Sequence, residues 1–226
     1  MRLKLVIGNM NYSSWSMRPW VLLRQAGIRF EEIQLKFDDD NRVKGVEPYS
    51  PTKKVPVLLI DGAPVWDSLA ICETVAEMFP EKRLWPADAR ARALARSICA
   101  EMHTGFHDLR NAMPMNIRAS HPGKGMSENV RRDINRILAI WGDCRELFGG
   151  AGAMLFGHFT VADAYYAPVV SRFITYDVPL PAAAREYVEA VRNLPGVAAW
   201  MSAARRETEF VAADEPYATK AVTGDS

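Results

Sequence analysis

Strand-type patterning in this 226-residue chain is confined to its first 80 residues, and this asymmetry restricts the fold more than any other feature of the sequence. Leu3–Ile7 is a short apolar run suited to a buried strand. Asn9–Ser16 is polar and turn-like. Trp15 to Ala26 then follows with helical spacing (Met17, Trp20, Val21, Arg24) and stops at Gly27. Phe30–Phe37 alternates apolar and polar residues, as a half-buried strand does. A β-α-β opening of this kind implies parallel strands joined by a right-handed crossover. After a polar stretch, residues 38–50, come Lys54–Ile60, the two-residue hairpin signal Asp61-Gly62 and Ala63–Trp66. Leu69, Cys72, Ala76 and Phe79 mark one helix face, ended by Pro80. The order βαβ followed by ββα makes one compact α/β domain.

Beyond Pro80–Pro86 strand signals almost vanish. Ala89 to about Met113 reads as one helix rich in Ala, Arg and Leu. A second stripe runs through Ile134, Ile137, Trp141, Cys144 and Phe148, with Ser127 as its N-cap, and breaks at Gly149–Gly152. Further helices are expected at 161–175, 182–193 and 196–207, and a loose end over 211–226. The expected organisation is an α/β domain over 1–80, a linker over 81–88 and an all-helical domain over 89–226.

The 28 Lys+Arg against 27 Asp+Glu leave a net charge of +1, which excludes a broad nucleic-acid surface. No apolar run approaches the roughly 18 residues of a membrane span, and the start of the chain carries no signal-peptide pattern. Cys72, Cys99 and Cys144 are odd in number and far apart, and lack zinc-ligand spacing. They read as buried small side chains in a reducing compartment, so the expectation is a cytoplasmic protein with neither disulfide nor metal.

Four short segments carry chemistry or mimic it. Val55-Pro56 stands at the mouth of a strand, either as an ordinary trans proline or as a cis peptide that turns the Val55 backbone toward a ligand. Asp67-Ser68 opens a helix, where acid and hydroxyl either cap the amides or hold a group bearing both an ammonium and a carboxylate. Tyr12-Ser-Ser-Trp-Ser16 is either an N-cap cluster or the source of a hydroxyl donated to an anion. Such a donor beside a helix dipole lowers a thiol from its usual pKa of about 8.5. A Ser-His-Asp hydrolase does not fit, because no Gly-x-Ser-x-Gly elbow is present. Thr160-Val-Ala-Asp163 resembles a capping box and is assigned to the fold alone.

Taken together, Ser13-Ser-Trp-Ser16, Ser50-Pro-Thr-Lys-Lys-Val-Pro-Val-Leu58, Asp67-Ser-Leu-Ala-Ile71 and Gly157-His-Phe-Thr-Val-Ala-Asp163 resemble the glutathione S-transferase family over nearly the whole chain. The likeness is to serine-type members, nearest to zeta-like bacterial ones. It implies an α/β thioredoxin-like N-terminal domain followed by an all-α C-terminal domain. It also implies glutathione as co-substrate, a homodimer and a detoxifying role. By resemblance, Ser13 stabilises the glutathione thiolate with help from Ser14, and Val55 pairs with the cysteinyl backbone. Lys54 holds the glycine carboxylate, with Arg42 or Lys44 assisting, and Asp67 and Ser68 hold the γ-glutamyl end. Trp15 occupies the place of a cysteine that zeta-type members carry, so a cysteine-type deglutathionylating role is not expected. Trp15, Phe106, Arg110 and Met115 are candidates for an electrophile pocket, and Arg118 is a further candidate to attract an anionic group. His103 and His107 are not expected in catalysis. The expected activity is conjugation of glutathione to small apolar electrophiles. Alternatives are a glutathione-dependent isomerase or dehalogenase of an organic acid, such as a maleylacetoacetate isomerase, and a non-catalytic binding or assembly protein.

Overall fold

A computed structural model describes residues 1–218 of the chain. Four strands, β1 (Leu3–Ile7), β2 (Glu31–Gln34), β3 (Val57–Ile60) and β4 (Ala63–Val65), form one sheet in the order β2-β1-β3-β4. β1 runs parallel to β2 (Val6 opposite Ile33) and antiparallel to β3 (Leu5 opposite Leu58). The crossover between β1 and β2 is α1 (Ser14–Gln25), and α2 (Ser68–Met78) follows β4. The β3–β4 hairpin closes on Asp61 and Gly62, whose φ values of 49° and 94° lie in the left-handed region that a tight two-residue loop requires. This is the expected thioredoxin-like arrangement. β2 is shorter than the alternation from Phe30 to Phe37 suggests, because it is an edge strand with its side chains largely exposed.

The remaining elements are α3 (Ala89–Thr104), α4 (His107–Ala112), α5 (Glu128–Cys144), α6 (Val161–Thr175), α7 (Ala182–Arg192) and α8 (Pro195–Arg206). The single helix expected from Ala89 to about Met113 is in fact two. α3 stops at Gly105, where a Cβ would lie 2.8 Å from the Glu101 carbonyl oxygen. Phe106 then takes a left-handed φ of 57°. α4 restarts with the Leu109 amide donating to Asp133 Oδ2 of α5 at 3.0 Å, an acceptor far away in sequence.

α1 lies at the centre of the molecule, packed against α2, α6 and α8. Its residues from Ser16 to Leu23 are all buried, whereas Arg24, which spacing places on the apolar stripe, is exposed and lies over the Trp20 and Phe30 rings. Trp20 meets Trp200 of α8 edge to face at 5.2 Å, and its indole donates to Glu32 at 2.6 Å. α6 is the other buried helix. Its start is organised by Asp163, which accepts from the Thr160 amide (2.9 Å), the Thr160 hydroxyl (3.1 Å), the Leu155 amide (3.1 Å) and the Tyr187 hydroxyl (3.1 Å). Ser127 accepts from the Val130 amide at 3.2 Å, as its N-cap role requires.

The stretch expected to be loose after residue 211 is anchored as far as the structure describes it; residues 219–226 lie outside the described residues. Val211 is buried, Tyr12 donates to Glu215 at 2.7 Å, and Tyr217 donates to the Ala112 carbonyl at 2.8 Å. All three cysteines are free and buried, and burial raises each thiol pKa, Cys144 to about 12. Among the described residues no helix is long and apolar enough to cross a membrane, and no group of three or more His, Cys, Asp or Glu side chains is placed to hold a metal.

Candidate active site

Two open clefts meet at the N-terminus of α1. The larger, about 760 Å³, is lined by Tyr12–Trp15, by Arg42, Lys54 and Val55, and across from them by Arg110, Met115, Arg172 and Asp214. The smaller, about 360 Å³, is lined by Pro56, Trp66, Asp67, Ser68 and His103. Trp15, Thr52, Lys54 and Val55 border both.

The loop that presents Ser13 is held by buried polar side chains. The Ser13 amide donates to the Asn9 carbonyl at 2.8 Å, and Asn9 Oδ1 accepts from the Phe37 amide at 2.8 Å. Asn11 bonds Asn116 Oδ1 (2.8 Å) and the Arg118 amide (2.9 Å). Glu207, just after α8, accepts the Met10 and Asn11 amides, both at 2.9 Å. Ser13 stands at the N-cap of α1, yet its side chain does not cap the helix. Its hydroxyl donates instead to Ser16 Oγ at 2.7 Å, and Ser16 Oγ also accepts the Gly8 amide at 3.2 Å. The first turn of α1 therefore offers uncapped amides and the positive end of the helix dipole beside the cleft.

The Val55-Pro56 peptide is cis, the second of the two alternatives its sequence position allows. Ser50 Oγ donates to the Lys54 carbonyl (2.8 Å) and accepts the Lys54 amide (3.2 Å), which fixes the loop in front of it. Asp67 is the N-cap of α2, with Oδ1 accepting the Leu69 amide at 3.0 Å and the Ala70 amide at 3.5 Å. The peptide before it, Trp66-Asp67, is also cis.

Among the electrophile-pocket candidates, Trp15, Arg110 and Met115 line the larger cleft, whereas Phe106 is buried at the α3–α4 break and lines neither. Arg118 is occupied by Tyr12 and by the carbonyls of Glu207 and Glu209, so it braces the loop instead of facing the cleft. Trp15 lies edge to face with His103 at 5.1 Å, with the Arg18 guanidinium 4.2 Å and that of Arg110 5.2 Å from its ring centre.

Sequence reasoning named Ser16 only as part of the Tyr12–Ser16 cluster, without a role of its own, and missed Arg18, Tyr165, Arg172 and Asp214. Arg18 and Arg172 did leave a signal, each being an arginine inside an apolar helical run. Both are buried, so desolvation brings their guanidinium pKa down, to about 10 for Arg18 and about 9 for Arg172. Arg18 donates to the Tyr165 and Ser14 carbonyls, and Arg172 to those of Met113 and Pro168. Burial raises the Asp214 carboxyl to about 6, although nearby Arg172 opposes the shift. Nothing in the sequence distinguishes Tyr165 or Asp214 from ordinary helix and loop residues.

The fold and the cleft define a class: two-domain proteins in which a thioredoxin-like sheet presents a helix N-terminus to a cleft walled by a helical domain. This chain belongs to the glutathione S-transferase family, residues 12–78 matching its N-terminal domain and residues 126–203 its C-terminal domain. Curated relatives include the maleylacetoacetate isomerase of Mus musculus, 35% identical over 44% of this chain and 47% of that protein. A probable glutathione S-transferase of Nicotiana tabacum is 37% identical over 38% of each chain. The chain spans less than half the length of these curated relatives in the matched regions. Among solved structures, a glutathione transferase homologue from Burkholderia with bound glutathione has a TM-score of 0.68 at 24% identity, covering 91% of this chain and 99% of that one. An unclassified glutathione S-transferase from Bombyx mori has a TM-score of 0.71 at 18% identity, covering 91% and 94%. Both likenesses concern the fold.

Proposed function

We propose that the protein is a glutathione transferase that conjugates the glutathione thiolate to small apolar electrophiles. The observation carrying this reading is the uncapped start of α1, with Ser13 and Ser14 at the cleft beside Val55 and Lys54. Ser13 donates to the sulfur with help from Ser14. When it does so, Ser16 turns its own proton to Ser13 while still accepting the Gly8 amide. The donors then run from Gly8 through Ser16 and Ser13 to the thiolate, each strengthening the next. The thiol proton leaves to solvent, and the sulfur lone pair forms the C–S bond as the leaving group departs with its bonding pair. The Val55 backbone aligns the cysteinyl unit, Lys54 attracts the glycine carboxylate, and Asp67 and Ser68 hold the γ-glutamyl end. Residues 1–80 serve as the glutathione domain and 89–226 as the electrophile domain, joined by 81–88. Trp15, Arg110 and Met115 wall the electrophile side. A cytoplasmic, homodimeric detoxification enzyme without a metal accords with this reading.

A specific observation favours a second reading, a glutathione-dependent isomerase or dehalogenase of an organic acid: the two arginines Arg110 and Arg172 line the cleft on the helical side. Relatives named maleylacetoacetate isomerase support it. Incubating purified protein and glutathione with a chlorinated nitroaromatic, and separately with a cis-unsaturated dicarboxylate, distinguishes the two. Conjugation of the first is expected. Isomerisation of the second alone moves the assignment to the second reading. Glutathione binding with no turnover of either leaves a binding protein.

A further inference from the structure

Two side chains of the helical domain reach the pair expected to hold the γ-glutamyl group. His103 of α3 places Nε2 3.0 Å from Asp67 Oδ2 and Nδ1 3.2 Å from the Tyr165 hydroxyl. Tyr165 of α6 places the same hydroxyl 3.0 Å from Ser68 Oγ. The three contacts form a circuit that leaves the thioredoxin-like domain at Ser68 and returns at the adjacent residue, Asp67.

The direction of the first bond follows from its partners. A carboxylate oxygen only accepts, so Nε2 carries the proton given to Asp67. Nδ1 meets the Tyr165 hydroxyl, which in turn meets Ser68 Oγ, so one hydroxyl links the imidazole to the serine. Ser68 is thus tied to the helical domain through Tyr165. Asp67, with Oδ1 on the α2 amides and Oδ2 on His103, presents only acceptors. Tyr165 is fully buried, so its hydroxyl has no solvent to turn toward.

We propose that His103 and Tyr165 are positioning residues of the γ-glutamyl subsite, and that their circuit holds the Asp67 carboxylate in place for the ligand's α-ammonium group and the Ser68 hydroxyl in place beside it. The inference rests on the glutathione reading above and adds to it a preference for a free amine. Arg110 and Arg18 complete the surroundings of the histidine. Arg110 donates to the His103 carbonyl, and both guanidiniums lie over Trp15, whose ring meets the imidazole.

The test compares glutathione with an analogue in which hydrogen replaces the γ-glutamyl α-amine. Binding is measured by calorimetry for wild type, Tyr165→Phe, His103→Gln and His103→Leu, with kcat and KM for glutathione. Wild type is expected to favour glutathione by about tenfold or more. Tyr165→Phe and His103→Leu are expected to weaken glutathione binding by about three- to tenfold, as loss of a hydrogen bond does. They should also shrink the preference for the amine, with kcat falling less than affinity. His103→Gln, whose side-chain amide still donates to Asp67, should lose less than His103→Leu. If Tyr165→Phe fails to fold, the His103 pair carries the test alone, since that side chain is only 26% exposed but lies at the cleft surface. A purely structural role would lower Tm and leave the preference intact, which overturns the inference. So would unchanged Kd and preference in the variants of a wild type that binds glutathione. A wild type that binds neither ligand overturns the glutathione reading itself.

Discussion

Ser13, at the start of α1, donates to Ser16 Oγ, which also accepts the Gly8 amide and keeps its own proton to give. Reversing that bond keeps one hydrogen bond between the two hydroxyls and frees the Ser13 proton for the cleft. Ser13→Ala is therefore expected to lower kcat by about 10²-fold or more, as removal of an oxyanion-type donor does, with little change in glutathione affinity. The apparent pKa of bound glutathione should rise with it. Ser14→Ala should cost less. A pH profile of kcat for the two variants checks the assignment, and a larger loss in Ser14→Ala transfers the role to Ser14. The buried arginines show the same economy. Arg18 and Arg172 each donate to two backbone carbonyls, so their cost of burial is partly offset while their charge stays close to the cleft.

At the scale of elements, the start of α6 depends on Asp163. Burial pushes its carboxyl above the ordinary aspartate range even though four hydrogen bonds oppose the shift, so desolvation outweighs them. Thr160→Ala removes one hydroxyl and is expected to destabilise by about 0.5–2 kcal/mol, the usual range for a cap. Asp163→Ala leaves the Thr160 and Leu155 amides and the Tyr187 hydroxyl without their acceptor, so its cost should be larger, with each buried orphan adding about 1–3 kcal/mol. Urea unfolding of both variants measures the difference. Folded protein should keep its glutathione affinity; a variant that melts like wild type but has lost catalysis would move Thr160 or Asp163 from scaffold to site. The helices expected at 161–175, 182–193 and 196–207 begin and end within one residue of the observed α6, α7 and α8, because caps, prolines and apolar spacing act within a few residues of one another. The break at Gly105 was not legible. An isolated glycine inside a helical pattern is common, and the acceptor that lets α4 restart, Asp133, arrives from another helix.

At the scale of the molecule, the segment after α8 clamps the loop that carries Ser13. Glu207→Ala strips the Met10 and Asn11 amides of a charged acceptor, each bond being worth about 1.5–3 kcal/mol. The expected result is a lower Tm and faster hydrogen exchange at residues 9–12, together with a fall in kcat. Wild-type exchange there would show that the loop holds itself. Asp214, on the same segment, sets a pH dependence. Its carboxyl rises from 3.8 to about 6 in the fold, so the stability it contributes is complete below about pH 4 and is lost as pH climbs through 6. A shift of that size corresponds to on the order of 2–3 kcal/mol. Asp214→Asn should accordingly melt above wild type at pH 8 and with it at pH 4; a wild type that is the more stable at pH 8 would show that the charge is compensated.

The local sequence alone determined the β-α-β start, the Asp61-Gly62 hairpin, the caps at Asp67, Ser127 and Thr160 and the helical remainder, because each depends on spacing and backbone preferences within one short segment. The resemblance of four short segments to glutathione S-transferases, and no local rule, marked Ser13, Lys54, Val55, Asp67 and Ser68 as a set, since hydroxyls, acids and prolines at element boundaries also serve as caps and strand starts. Only the tertiary structure decided what these side chains touch. Tyr165 meets Ser68 across 97 positions of chain and Glu207 meets Met10 across 197. Hydrogen bonds of that range arise from packing α1 between the sheet and α6, where burial withdraws water and leaves each polar group dependent on whatever partner the fold brings within about 3 Å.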